Sequence, residues 1–346
     1  MKRTNSRSGF LAIAASSLVV LSMAGSVQAE NSGSVVAAVF PGSWEDAYRT
    51  VVAPIVTEAG FDITISPVLA QDQVGKMMAS GGKPPYDALL VSPGQTAMLK
   101  AAGLIEEIDP SKLKNWDLLI DSAKTPYGPS VTVEVNGIAY NPETVPKPTG
   151  YADLFANPAF EGRVAWIGFG SNTATMAWTE IAKINGGGAD NMQPVFDLLA
   201  KNLNKIGAIA TSGNAQMTMY QQGEIDVFMA STGNVARLRS LGLPADFAHP
   251  KTGSPAVPVT IHMAKGASDP DAVYAYMDAA ISTTVQAQLA EAPTGYIPTN
   301  SQVPFTDIIL QFVTPEQLDN AVFPDWETIG IHRAEWTAEF DRVVAK

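Results

Sequence analysis

The sequence predicts an α/β fold with substantially parallel sheets, and three observations carry that prediction. Short apolar β-like runs alternate with longer helical stretches, the junctions are built from Gly, Pro and Ser, and the helical stretches stop at glycine. The alternation appears twice, over 35–102 and again over 163–241, around one extended stretch. No repeat of fixed period and no low-complexity linker separates the halves. Two α/β lobes joined by stiff crossovers are therefore expected.

In chain order, a basic start (Lys2, Arg3, Arg7) leads into the apolar run Phe10–Ala24, and Val27-Gln28-Ala29 follows with small residues at the cleavage positions. This pattern predicts a secretory signal over residues 1–29 and a mature chain from Glu30. The apolar run falls short of the ~20 residues a membrane-spanning helix needs. In the first half, strands are expected at Val35–Phe40, Phe61–Ser66 and Tyr86–Val91. Helices are expected at Glu45–Ala59, Gln71–Ser80 and Gln95–Ala102, stopped by Gly60, Gly81-Gly82 and Gly103. Ser130–Tyr140 is the candidate crossover. In the second half, strands are expected at Arg163–Ile167, Lys205–Ala210 and Asp226–Ala230, and helices at Asn172–Asn185, Asn191–Leu203, Asn214–Gln222 and Asn234–Leu241.

Composition narrows the function. Without its leader the chain keeps 317 of 346 residues, about two domains at ~150 residues each. It then carries 19 Lys+Arg against 34 Asp+Glu, a formal charge of −15. Such a surface argues against nucleic acid, whose partners need a basic footprint. With no cysteine there is no disulfide and no thiolate, so the fold relies on its apolar core.

In open α/β sheets ligands sit outside the carboxyl ends of strands, where loops run into helix N-termini with unpaired N–H groups. Five loops of this kind occur: Ser43-Trp44, Ser92–Gln95, Ser171-Asn172-Thr173, Ser212–Asn214 and Thr232–Asn234. Their candidate ligand contacts are Ser43, Trp44, Ser92, Gln95, Ser171, Asn172, Thr173, Thr232 and Asn234; each hydroxyl or amide could equally be an ordinary N-cap. The Trp44 indole either covers a ligand ammonium or packs beneath the following helix. Glu134, between Val133 and Val135, either pins an amine in a cleft or is solvated on an outer face.

A secreted hydrolase or lyase is the reading from another class. His249, His262 and His332 are far apart in sequence, no Gly-x-Ser-x-Gly elbow is present, and Gly168-Phe169-Gly170 falls short of a dinucleotide fingerprint. No enzyme, catalytic residue, cofactor or resident metal is expected.

The order and spacing of several segments resemble the extracellular solute-binding family that includes spermidine/putrescine-binding and ferric-ion-binding proteins. They are Gly137–Val145, Asp153-Leu154-Phe155, Pro158, Gly162-Arg163-Val164, Gln222–Val227, His249–Gly253 and Tyr296–Asn300. The resemblance implies a two-lobed periplasmic-binding-protein fold, each lobe a mixed sheet flanked by helices, with ligand in the cleft. One lobe would comprise 30–136 plus 263–296 and the other 137–262 plus 297–346. It further implies a periplasmic monomer that hands a small solute to the membrane permease of an ABC importer.

Polyamine-binding members of that family carry an acidic pair in the loop corresponding to Gly168–Thr173 and an aromatic at Ser231-Thr232. They also carry a Glu, Trp and Asp cluster beyond the proline-glycine turn. Here Gly168–Thr173 has no acid, and Ser254–Thr260 has neither acid nor aromatic. A solute with one amine and one acid group fits better: an amino acid, γ-amino acid or aminophosphonate. The ferric-ion alternative wants hard oxygen ligands from neighbouring tyrosines. Tyr274 and Tyr276 lie on an expected helix and read as core.

Overall fold

The computed structural model describes residues 33–291 and 295–345, so the expected signal segment 1–29 lies outside the described residues. Ten strands form the framework: β1 (Gly33–Val39), β2 (Phe61–Pro67), β3 (Ala88–Val91), β4 (Lys124–Thr125), β5 (Gly128–Tyr140), β6 (Val164–Ile167), β7 (Ala208–Ala210), β8 (Val227–Ser231), β9 (Asp246–Ala248) and β10 (Ala256–Met263). Their order is β2-β1-β3-β10-β5-β8-β6-β7, with β4 and β9 also paired to β5. Pairing is parallel within each half, β1 with β2 and β3, and β6 with β7 and β8. The joints are antiparallel, β10 to β3 and β5, and β5 to β8. The described residues pack as one compact unit, and β5 belongs to both sheet halves.

β5 is the crossover expected at Ser130–Tyr140. It is covered on both faces, so it reads as a nearly continuous buried run rather than an alternating one. Two large apolar clusters flank it. One gathers Trp166, Trp178, Phe169 and Phe340 around β6 and the helix Asn172–Ile184. The other gathers Val39, Tyr48, Leu90, Ile261 and Tyr276 around β1, β3 and β10.

Two elements differ from expectation for identifiable reasons. The stretch expected as one helix over Glu45–Ala59 is a helix Ser43–Ala47, a π-turn Tyr48–Val52 and a helix Ala53–Glu58. Pro54 has no N–H to donate back along the helix, and the wider turn just before it absorbs the missing bond. β10 was not anticipated at all. Pro258 argues against a central strand, yet β10 lies between β3 and β5 and shifts register at Val259/Thr260, next to that proline.

His262, in β10, is 1% exposed. Its Nδ1 lies 2.9 Å from the Tyr127 carbonyl and its Nε2 2.8 Å from the Thr96 hydroxyl. The carbonyl can only accept, so Nδ1 donates to it and Nε2 accepts from Thr96 in a neutral ring. Burial pushes the imidazole pKa down to about 4. The unfolded chain protonates near the ordinary histidine value while the native one does not. Stability is therefore intact above pH ~6.5 and lost as pH falls from there towards the native pKa, up to ~3 kcal/mol in all. Scanning calorimetry should show the wild-type midpoint dropping between pH 7 and 5 and a flatter profile for His262→Gln. Equal slopes in the two proteins would refute this role.

Candidate ligand-binding site

The site is built outward from β5. Glu134 is the one exposed residue of that strand, yet the surrounding protein desolvates its carboxyl and pushes its pKa up. A carboxylate on an open outer face would keep its water and its ordinary pKa. Solvent access combined with desolvation means that protein crowds the Glu134 carboxyl without covering it.

An aromatic wall stands beside it. Trp44 stacks on Tyr296 with ring centroids 4.3 Å apart at 25°, and Phe40 meets the indole edge-on at 5.4 Å. Trp44 is only partly buried. The Tyr296 hydroxyl is sealed from water, with the Ser43 side chain as the polar group beside it. Burial drives its pKa upward, the Ser43 side chain beside it pulls the other way, and the nearby Glu134 charge raises it further. Ser43, Trp44, Tyr296 and Glu134 thus form one constellation.

A second wall comes from the other sheet half. Asn136 lies two residues along β5 from Glu134, hence on the same strand face. Its Oδ1 accepts from the Thr173 hydroxyl at 3.1 Å. Asn172 Oδ1 accepts from Arg333 Nη1 at 2.9 Å, and Arg333 Nε donates to the Phe169 carbonyl at 2.6 Å. A Cβ on Gly94 would lie 3.6 Å from both Arg333 Nη1 and Asn172 Oδ1, so the loops 92–95 and 171–173 meet there.

The remaining candidates divide by how their polar groups are used. Ser171 caps the helix Asn172–Ile184, accepting from the Ala174 N–H. Asn234 closes a capping box with Ser231 on the helix Thr232–Ser240. Ser212 likewise caps the helix Gly213–Gln221. For these three the ordinary capping reading accounts for the side chain. Ser92 stands at the start of the helix Pro93–Ala101 without a side-chain cap bond. Gln95 has a buried Oε1 with no partner among the described residues. Thr232 is half-buried at the head of its helix, and Ser231 pairs in register with Asn136.

Tyr296, Asn136 and Arg333 were missed as site residues. Tyr296 stood in a segment already singled out, and Asn136 follows Glu134 by the strand period of two. Arg333 lies on the terminal helix Trp326–Val344 and carries no local signal.

A cavity of about 600 Å³ lined by Pro93, Thr96, Ala256, Pro258 and Trp326 adjoins the loop 92–95, and Glu134 is not among its lining residues. Val257 pairs with Glu134, whereas Ala256 and Pro258 pair with Val135 and Val133 and so face the opposite side of the β5/β10 ribbon. Among the described residues no group of three or more His, Asp or Glu could hold a metal ion. Tyr276 is fully buried, as expected of a core residue, and Tyr274 accepts from the Asp109 N–H at 2.7 Å.

Comparison with known proteins places these features in context. A family model described as bacterial extracellular solute-binding protein matches residues 50–309. The spermidine/putrescine-binding periplasmic protein of Escherichia coli (strain K12) is 24% identical over 266 residues, 72% of each chain. An ABC transporter structure from Clostridium perfringens superposes with a TM-score of 0.80 at 20% identity, covering 90% of this chain and 99% of that one. The structure titled Atu4243-GABA receptor gives 0.72 at 20% identity, covering 90% and 98%.

Proposed function

This chain belongs to the bacterial extracellular solute-binding proteins, and on that premise we propose that it is the periplasmic substrate-binding component of an ABC importer, capturing a small amine-bearing or zwitterionic solute. The carrying observation is Glu134, a desolvated carboxylate that still meets solvent beside the Trp44–Tyr296 stack. A carboxylate that lost its water on folding regains a partner when an ammonium docks, and the indole face adds cation–π attraction. Relatives support an amine: one is a spermidine/putrescine binder and one solved neighbour is a GABA receptor. A long diamine fits less well, since the loops opposite Glu134 bring amides, hydroxyls and a guanidinium rather than further carboxylates.

The working cycle follows from the joints. The segments 30–136 plus 263–296 and 137–262 plus 297–346 act as lobes hinged at β5 and β10. Closure requires that ligand bind the closed form more tightly than the open one. The closed monomer then docks on the membrane permease.

The test is mass spectrometry of solute released from gently purified protein, with a thermal-shift panel of amines, amino acids, phosphonates and ferric salts. An amine-bearing compound should raise the midpoint; a response to ferric salts alone would overturn the proposal. Trp44→Ala should weaken the responding amine about 2- to 30-fold, the range of a desolvated cation–π contact. Trp44→Phe should restore part of that loss, and unchanged affinity in Trp44→Ala would remove the indole from the ligand.

A further inference from the structure

We propose that Arg333 is the anion-holding subsite of this cleft, so that the solute carries a carboxylate or phosphonate at the end remote from its amine. The inference rests on the cleft reading above and adds a second charge to it.

Arg333 is partly buried, and its partners are two neutral oxygens, the Phe169 carbonyl and the Asn172 amide. None of the ion pairs found among the described residues includes it. On its own helix the neighbours three and four positions away are Ile329, Gly330, Trp336 and Thr337, none of them acidic. Burial lowers its pKa, the sign of a cation short of solvation. Buried Glu180, by contrast, is matched by Lys183 at 2.6 Å. A desolvated charge without a counter-ion is costly to a fold unless a ligand completes it.

The surroundings favour an anion there. The guanidinium lies between the N-terminal turns of the helices Pro93–Ala101 and Asn172–Ile184, whose partial positive ends add to its field. Gly94 puts no side chain beside Nη1, where an added Cβ would meet the Trp326 ring at 3.5 Å and Nη1 at 3.6 Å, and the hydroxyl of Ser92, two residues earlier, is not spent on a cap. Glu134 is connected to the guanidinium through neighbours: Asn136, two residues along the same strand face, accepts from Thr173, and Asn172, adjacent to Thr173 in the chain, accepts from Arg333. Glu134 to Asn136 alone spans ~6.6 Å of strand, so the charges suit an ω-amino acid or aminophosphonate better than an α-amino acid.

The test is isothermal titration of the full chain and of Arg333→Gln with γ-aminobutyrate, aminopropylphosphonate, n-butylamine and butyrate. The wild type should prefer both zwitterions to butylamine by at least ~10-fold. Arg333→Gln should cost the zwitterions about 10- to 100-fold and butylamine no more than ~2-fold, with Arg333→Lys intermediate. A melt of Arg333→Gln near the wild-type midpoint shows that the variant folds. Equal losses for butylamine and the zwitterions would make Arg333 structural and overturn the subsite. Wild-type binding of butylamine with no gain from an acid group overturns the subsite and leaves the amine reading standing. Binding of butyrate that Arg333→Gln abolishes, with no response to any amine, overturns the amine reading and keeps the subsite. Silence from all four compounds overturns both.

Discussion

Glu134→Gln is expected to weaken an amine-bearing solute about 10- to 100-fold, the worth of a charge-assisted hydrogen bond, while raising the melting midpoint of the unliganded protein. The two effects have opposite signs and one cause. Desolvation raises the Glu134 carboxyl pKa, so over the window between the unfolded and folded values the native state holds the extra proton. Stability then declines as pH rises through that window, and above it the charged carboxylate remains a burden that glutamine removes. An incoming ammonium reverses the balance, because it supplies the partner the carboxylate lacks. Affinity for amines should accordingly fall on acidification from pH 7, beginning above the ordinary glutamate value of ~4.3. Titration calorimetry against pH, with thermal melts of both proteins, checks each part. A flat pH profile in the wild type, or equal losses for amines and simple acids in the variant, would count against the amine pin.

The largest stability effect is expected from Gly128→Ala. Gly128 opens β5 with φ +145°, and a Cβ there would sit 1.9 Å from the Ile261 carbonyl oxygen. That oxygen belongs to the backbone of β10, held in register between β3 and β5, and it cannot step aside as a flexible side chain would. The Gly128 carbonyl is itself tied, accepting from the Thr125 hydroxyl at 2.7 Å. Overpacking of ~1–3 kcal/mol adds to backbone strain of ~1–3 kcal/mol. Against a total stability of ~5–15 kcal/mol, the midpoint should fall by about 3–9 °C, or the chain should fail to accumulate. Gly60→Ala is the matched control: φ is also positive, +92°, but nothing lies within 4 Å of the added atom. Comparable losses in the two variants would show that conformation, and not the collision with β10, sets the cost.

Much of the site was legible one residue at a time. The loops after β1, β3, β6 and β8 announced themselves by Ser, Thr, Asn and Gly at strand ends. Glu134 stood out as an acid in an apolar run. Which of these side chains were free was not legible. Ser171 and Asn234 are occupied as caps, whereas Ser92 in a similar position is not. The same residue types serve both purposes, and only the path of the following turn decides between them. Trp44 shows the same ambiguity from the packing side. It leans on the core cluster and stacks on Tyr296, a residue far along the chain.

Local periodicity and turn chemistry settled most of the strands and helices up to Leu241, the long crossover at β5, and the α/β class, because those signals act over a few residues. Tertiary structure alone decided that β10, proline included, is inserted between β3 and β5. It alone brought Tyr296 to Trp44 and Arg333 to Asn172. Pairings between residues so distant in sequence are chosen by the fit of whole surfaces once the chain has collapsed. No short window of the sequence contains both partners, so none can carry the signal.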